Sequence, residues 1–180
     1  MRKLGLIAAC VAALGLSGSA YAQEWVEFKS PAWGVAINFP HEPRSERIEY
    51  TSYFNDKVPG RVFSAKRGTG RYSLTVASFS GHPIDSLTAV MHAAEPIRAK
   101  GRATYYAYHD LDGIPGIVMS ITQDDGRLIQ AAIYFVDQCL YIAEGSVGAG
   151  NPAPSQFQQS IVIFGPEDNR IVLDDVYENF

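Results

Sequence analysis

The chain has 180 residues, 47% of them hydrophobic, and 19 acidic residues outnumber 15 basic ones for a formal charge of −4. That balance disfavours nucleic acid or an anionic membrane face as a partner for the surface as a whole, leaving room only for a local patch. No apolar segment approaches the ~20 residues of a membrane-spanning helix.

The N-terminus reads MRKLGLIAACVAALGLSGSAYAQ, a basic start, an apolar run from Leu4 to Leu16, and small residues leading to Ala20-Tyr21-Ala22. This is the pattern of a secretory signal peptide at residues 1–22, cleaved after Ala22 to deliver a periplasmic or secreted protein. Ile7-Ala8-Ala9-Cys10 has the small-small-Cys form of a lipid-attachment site, but only a few apolar residues precede it. The mature chain is long enough for one domain, at 23–164, that buries about 70% of its unfolded surface. Cys10 leaves with the signal, so Cys139 is the only cysteine of the mature chain and no internal disulfide forms.

Alternation predicts short strands at Glu24–Lys29, with Val26 and Phe28 on one side and Trp25 on the other, and at Trp33–Phe39. A third runs from Arg44 to Phe54, with Ile48, Tyr50, Ser52 and Phe54 on its buried side. Turn residues from Asn55 to Gly60 lead into a hairpin of Arg61–Lys66 and Arg71–Phe79 around Arg67-Gly68-Thr69-Gly70. Ile84, Leu87, Met91 and Ala94 recur at helical spacing behind Asp85 or Ser86 as a cap, and Pro96 requires the helix to kink or restart near Glu95. Ala103–His109, Ile114–Thr122, Leu128–Val136 and Cys139–Val147 read as four further strands. Leu128–Val136 is apolar almost throughout, as a strand covered on both faces must be. From Pro152 a second helix carries Phe157, Ile161 and Phe164, its first turn holding the prolines that position favours.

Gly34-Val35-Ala36-Ile37-Asn38-Phe39-Pro40 followed by Pro43, the hairpin from Gly126 to Tyr141, and Phe157-Gln158-Gln159-Ser160 together resemble the Mog1/PsbP-like group of small exported bacterial domains. The resemblance covers roughly Glu24 to Phe164. It implies an α+β fold, an antiparallel sheet flanked by helices in a sandwich with the final helix packed against the sheet; the alternating stretches themselves give six to nine strands, mostly antiparallel. Members serve as binding or assembly modules without a shared reaction, so no catalytic residue is carried over. The chain departs from the group in its tail, 165–180, where Ile171-Val172-Leu173 would add an edge strand or the segment would stay disordered.

The residues by themselves offer little chemistry. Cys139 would need a nearby base to act as a nucleophile, and at the head of an apolar strand it reads as buried and inert. His41, His82, His92 and His109 form no ligand pair. His109-Asp110-Leu111-Asp112 offers an imidazole and carboxylates to a cation but is equally a strand end running into an Asp-Gly turn. Asp124-Asp125-Gly126 lacks the other oxygens of a calcium loop. Ser80, His82 and Asp85 are the residue types of a triad without a nucleophile elbow, and the Gly-rich Arg67–Arg71 loop is followed by no helix. The expectation is therefore no catalytic, cofactor or metal site, with Tyr105, Tyr106, Tyr108 and His109 as a candidate partner surface because exposed tyrosines anchor interfaces, although alternation sets Tyr106 and Tyr108 on one face and Tyr105 on the other. The leading function is a non-enzymatic binding or assembly module of the cell envelope, monomeric or weakly self-associating, whose partner is an envelope protein or a small ligand. A thiol-dependent enzyme using Cys139 and a carrier of a small apolar ligand are the alternatives.

Overall fold

The computed structural model describes residues 25–165 and Asn169; the expected signal peptide with Cys10 and the expected strand at 171–173 lie outside these. Strands β1 (Val26–Ser30) and β2 (Val35–Phe39) are joined by a 3-10 turn at Pro31–Trp33. They are followed by β3 (Arg44–Thr51), β4 (Lys57–Arg67), β5 (Gly70–Ser78) and helix α1 (Ser86–Arg98). Then come β6 (Arg102–Leu111), β7 (Ile114–Thr122), β8 (Leu128–Val136), β9 (Cys139–Val147), the short helix α2 (Ser155–Gln159) and β10 (Val162–Ile163). Seven strands form one sheet in the order β3-β4-β5-β9-β8-β7-β6, and β1-β2-β10 form a second. Every pairing is antiparallel.

Tight turns set the registers. Arg67 pairs with Gly70 across Gly68-Thr69, and Leu111 with Ile114 across Asp112-Gly113, where both turn residues have positive φ. Asp137 and Gln138 also have positive φ (50° and 58°), the mirror-image turn that matches strand twist, although neither is glycine. The carboxylate of Asp110 accepts from the Gly113 amide at 2.7 Å, so this aspartate is used to fix the β6–β7 turn.

Because the side-chain period is two, the large sheet has two apolar faces, and each is covered differently. On one face α1 lays Ala89, Val90, Ala93, Ala94 and Ile97 over Ile117, Met119, Ile121, Ile129, Ile133 and Leu140. On the other, β2 and α2 bring Val35, Ile37, Phe39 and Phe157 onto Phe63, Leu74, Val76, Tyr134 and Tyr141. Phe157, fully buried, stacks with Phe39 at 5.0 Å, Tyr72 at 5.4 Å and Trp25 at 6.4 Å.

Several sequence expectations are corrected. Trp25 packs inward against Tyr72, whereas Val26 is exposed. The third strand ends at Thr51 because Ser52 and Asn55 form a turn, with Asn55 at φ 67° and the Ser52 hydroxyl accepting from the Asp56 amide. Phe54 is consequently exposed. The strand after it starts at Lys57, with Pro59 one residue short of the β5 pairing, a strand margin at which a missing N–H is tolerated. Asp85 caps α1 by accepting from the Thr88 amide at 2.9 Å, and the helix runs unbroken to Arg98 with Pro96 in its last turn. Leu87 is 58% exposed, since the buried stripe is rotated onto Val90, Ala94 and Ile97. The last helix spans only five residues; Ile161 and Phe164 are buried beyond it, and Val162–Ile163 pair with β2 as a tenth strand among the described residues.

Phe157→Ala should destabilise the protein by about 3–5 kcal/mol, the range for deleting a buried ring, while Leu87→Ala should stay within about 0.5 kcal/mol. Urea unfolding of the two variants checks both, and equal midpoints would contradict this assignment of the core.

Candidate functional site

The strand order leaves β3 and β6 as the two margins of the large sheet. Their sequences differ in kind. β3, RSERIEYT, alternates charges along its length, the usual guard of an open edge, whereas β6, RATYYAYHDL, carries three tyrosines. Tyr105 is 56% and Tyr108 72% exposed.

Register decides where each β6 side chain lies. Between Ala103 and Tyr105 the pairing slips, so Ala103 faces Ile121 while Tyr105 faces Ser120, its neighbour on the opposite face of the sheet. Tyr106 and Tyr108 pair with Met119 and Ile117 on the α1 face, and the Tyr106 hydroxyl reaches the Met91 sulfur at 3.5 Å. Tyr105 and His109 lie on the other face, towards α2. The four candidate residues therefore wrap the edge of the sheet and do not share one patch.

Tyr105 and His109 enter a cleft of about 460 Å3 between β6-β7-β8 and the segment around α2, completed by Leu111, Val118, Ser120, Gln130, Tyr134, Gln158, Gln159 and Ile161. Gly116 shapes it. It stands between His109 on β6 and Tyr134 on β8, and a Cβ there would collide with the Tyr134 ring, so its bare backbone lets that ring lean across β7. The Tyr134 hydroxyl and His109 Nδ1 are then 2.9 Å apart, in one hydrogen bond. Burial first, then Asp110 and Asp112, push the Tyr134 phenol up to about 12. Beside it the Ser155 hydroxyl donates to Gln130 Oε1 at 2.8 Å, and Gln130 Nε2 donates to the Ser120 hydroxyl at 3.2 Å. The lining is thus polar and hydrogen-bonding, with apolar patches at Leu111, Val118, Met119 and Ile161, and no carboxylate or thiol is among these residues. It can hold a neutral polar group such as a peptide backbone; it has no acid–base pair of carboxylates.

Local sequence pattern does not single out Tyr134, Ser120, Gln158 or Gln159 as site residues. The legible signal is Gln130, a lone amide in the apolar run LIQAAIYFV.

The remaining chemistry-bearing residues are dispersed. Cys139 is half-buried, and burial pushes its thiol up, with Asp137 adding to the effect and hydrogen bonds to Tyr141 and Ser78 opposing it. The two ring nitrogens of His41 lie 3.0 Å from the carbonyl oxygens of Glu42 and Lys66, and His92 lies 3.1 Å from the Thr51 carbonyl. His82 faces Asp56, while Asp85 is occupied at the helix cap, so Ser80, His82 and Asp85 are not assembled as a triad. Asp125 accepts from the Arg127 amide within its turn.

No protein-family model matches the chain, and no curated protein does. Among solved structures it is similar to the solution structure of cyanobacterial PsbP (CyanoP) from Synechocystis sp. PCC 6803, with a TM-score of 0.51 and 12% identity, covering 84% of this chain and 99% of that one. The fold is PsbP-like, α+β with a mostly antiparallel sheet architecture and two helices, in agreement with the resemblance read from the sequence. At that identity the likeness concerns the fold alone.

Tyr50, through burial, and Tyr134 are both raised from 10 to about 12, so between those pH values the folded state keeps protons that the unfolded chain has lost. Stability should be intact below about pH 10 and fall as pH rises towards 12. Urea midpoints at pH 9 and 11, with phenolate absorbance followed in parallel, check this; an unchanged midpoint would refute it.

Proposed function

We propose that this PsbP-like domain is a non-enzymatic binding or assembly module of the bacterial cell envelope, and that its partner engages the β6 edge together with the adjoining cleft. The observation that carries the reading is the contrast between the two sheet margins: Arg44, Glu46, Arg47 and Glu49 guard β3, while β6 presents Tyr105, Tyr106 and Tyr108. An open strand with aromatic side chains suits an extended segment of a partner, whose main chain adds to the sheet while a side chain enters beside Tyr105 and His109. The signal-like N-terminus supports the envelope as the place where this happens.

The alternatives have less support. A carrier of an apolar ligand needs an apolar cavity, whereas the cleft beneath α2 is lined with Ser120, Gln130, Gln158 and Gln159. A thiol-dependent enzyme needs a lowered thiol pKa, and that of Cys139 is raised. No helix among the described residues is long and apolar enough to cross a membrane.

A photo-crosslinking residue placed at Tyr108 should give a discrete adduct in envelope extract, and the same residue at Glu49 should not. Adding Tyr105→Lys should remove the adduct without lowering the melting temperature. Equal adducts from both edges, or none from either, would sink the proposal. A thiol reagent at pH 7.5 should label native Cys139 more slowly than the urea-unfolded chain, because the sulfur is half-buried and its raised pKa lowers the thiolate fraction; equal rates would revive the thiol enzyme.

A further inference from the structure

We propose that a second, cationic cleft, on the α1 face and away from β6, binds a phosphate-bearing anion, either a free phosphate compound or a phosphate headgroup. The cleft exists because α1 covers only part of its face. The helix stops at Arg98, leaving about 410 Å3 open over β4, β5 and β9. Register places Lys66 opposite Arg71, Arg71 opposite Ser146, and Ser146 opposite Ile129, one row across four strands on the face that α1 covers further along. Ser64, Ser73 and Glu144 form the next row.

Four cations, Lys66, Arg71, Lys100 and Arg127, line this cleft in a protein whose formal charge is −4. Glu144 is its one carboxylate, and Lys100 binds both its oxygens at 2.6 and 2.7 Å, so that pair cancels. Arg127 donates to the Thr69 carbonyl at 3.1 Å, which orients the guanidinium and leaves its charge in place. Lys66 and Arg71 have no acidic partner among the described residues. They are directly opposed on neighbouring strands, where like charges destabilise a sheet and Cβ atoms stand only about 5 Å apart. An anion between them removes that repulsion. A phosphate matches the surroundings best: its several oxygens accept from a planar guanidinium and an ammonium at once, with the Ser64 hydroxyl alongside.

The test uses inorganic pyrophosphate, followed by calorimetry and by amide shifts of residues 64–73 and 144–146 at 50 mM salt. Vesicles of phosphatidylglycerol, with phosphatidylcholine as the neutral control, form a second arm. Lys66→Gln/Arg71→Gln should weaken binding by roughly ten-fold or more, higher salt should weaken it for the unaltered chain, and Arg98→Gln, outside the cleft and paired with Glu95, should have no effect. Pyrophosphate binding with this pattern supports a free phosphate compound; retention by anionic vesicles alone, with the same dependence on the two residues, supports a headgroup. Binding in neither arm, or binding that the double variant leaves unchanged, overturns the proposal.

Discussion

A seven-stranded antiparallel sheet with two apolar faces cannot stand alone in water, and covering both faces organises everything else in this protein. Burial at about 25 cal/mol per Å2 is the main favourable term available, so each face needs a cover of matching shape. One cover is an amphipathic helix whose small residues, Ala89, Ala93 and Ala94, let it lie close on the isoleucine-rich side of the sheet. The other is a small sheet plus a single helical turn, held by the aromatic contacts of Phe157 with Phe39, Tyr72 and Trp25.

Neither cover reaches the whole sheet, and the uncovered corners are where polar and charged residues gather. Beside α2, the corner near β6 holds Tyr105, His109, Gln130 and Tyr134. Past the end of α1, the corner at β4 and β5 holds Lys66, Arg71 and Arg127. The two are on opposite faces and differ in character, one hydrogen-bonding and without carboxylates, the other rich in lysine and arginine. Length of cover is thus a physical link between fold and candidate function: a longer α2 or α1 would have filled either cleft.

Most elements were legible from period-two alternation and turn residues, and the strands from Ile114 to Val147 were read with their observed bounds. Errors fell where local pattern and tertiary contact disagree. Leu87 continues a helical stripe on paper, but the contact surface of the sheet selects Val90 and Ile97, with Met91 packed at its border. Phe54 continues an alternation that the Ser52–Asn55 turn interrupts. Val162 and Ile163 look like the end of a helix, yet an open side of β2 is within reach, and pairing there satisfies their backbone groups. At the candidate site the sequence showed the aromatic content of β6 and, through alternation, its division between two faces; it hid which layer each face meets and that the strand is a margin, because strand order and the slip after Ala103 are not encoded locally.

The sequence by itself determined the class: alternating strands, Gly- and Asp-centred turns and one capped helix specify an antiparallel α+β protein. Those features follow from steric and hydrogen-bonding rules that act over a few residues. Only the tertiary structure decided that β6 is a margin, that Gly116 lets Tyr134 reach His109, and that Lys66 stands opposite Arg71 beside Arg127. These depend on which strands become neighbours and on how far each cover extends, outcomes of burying both faces at once that no single stretch of chain contains.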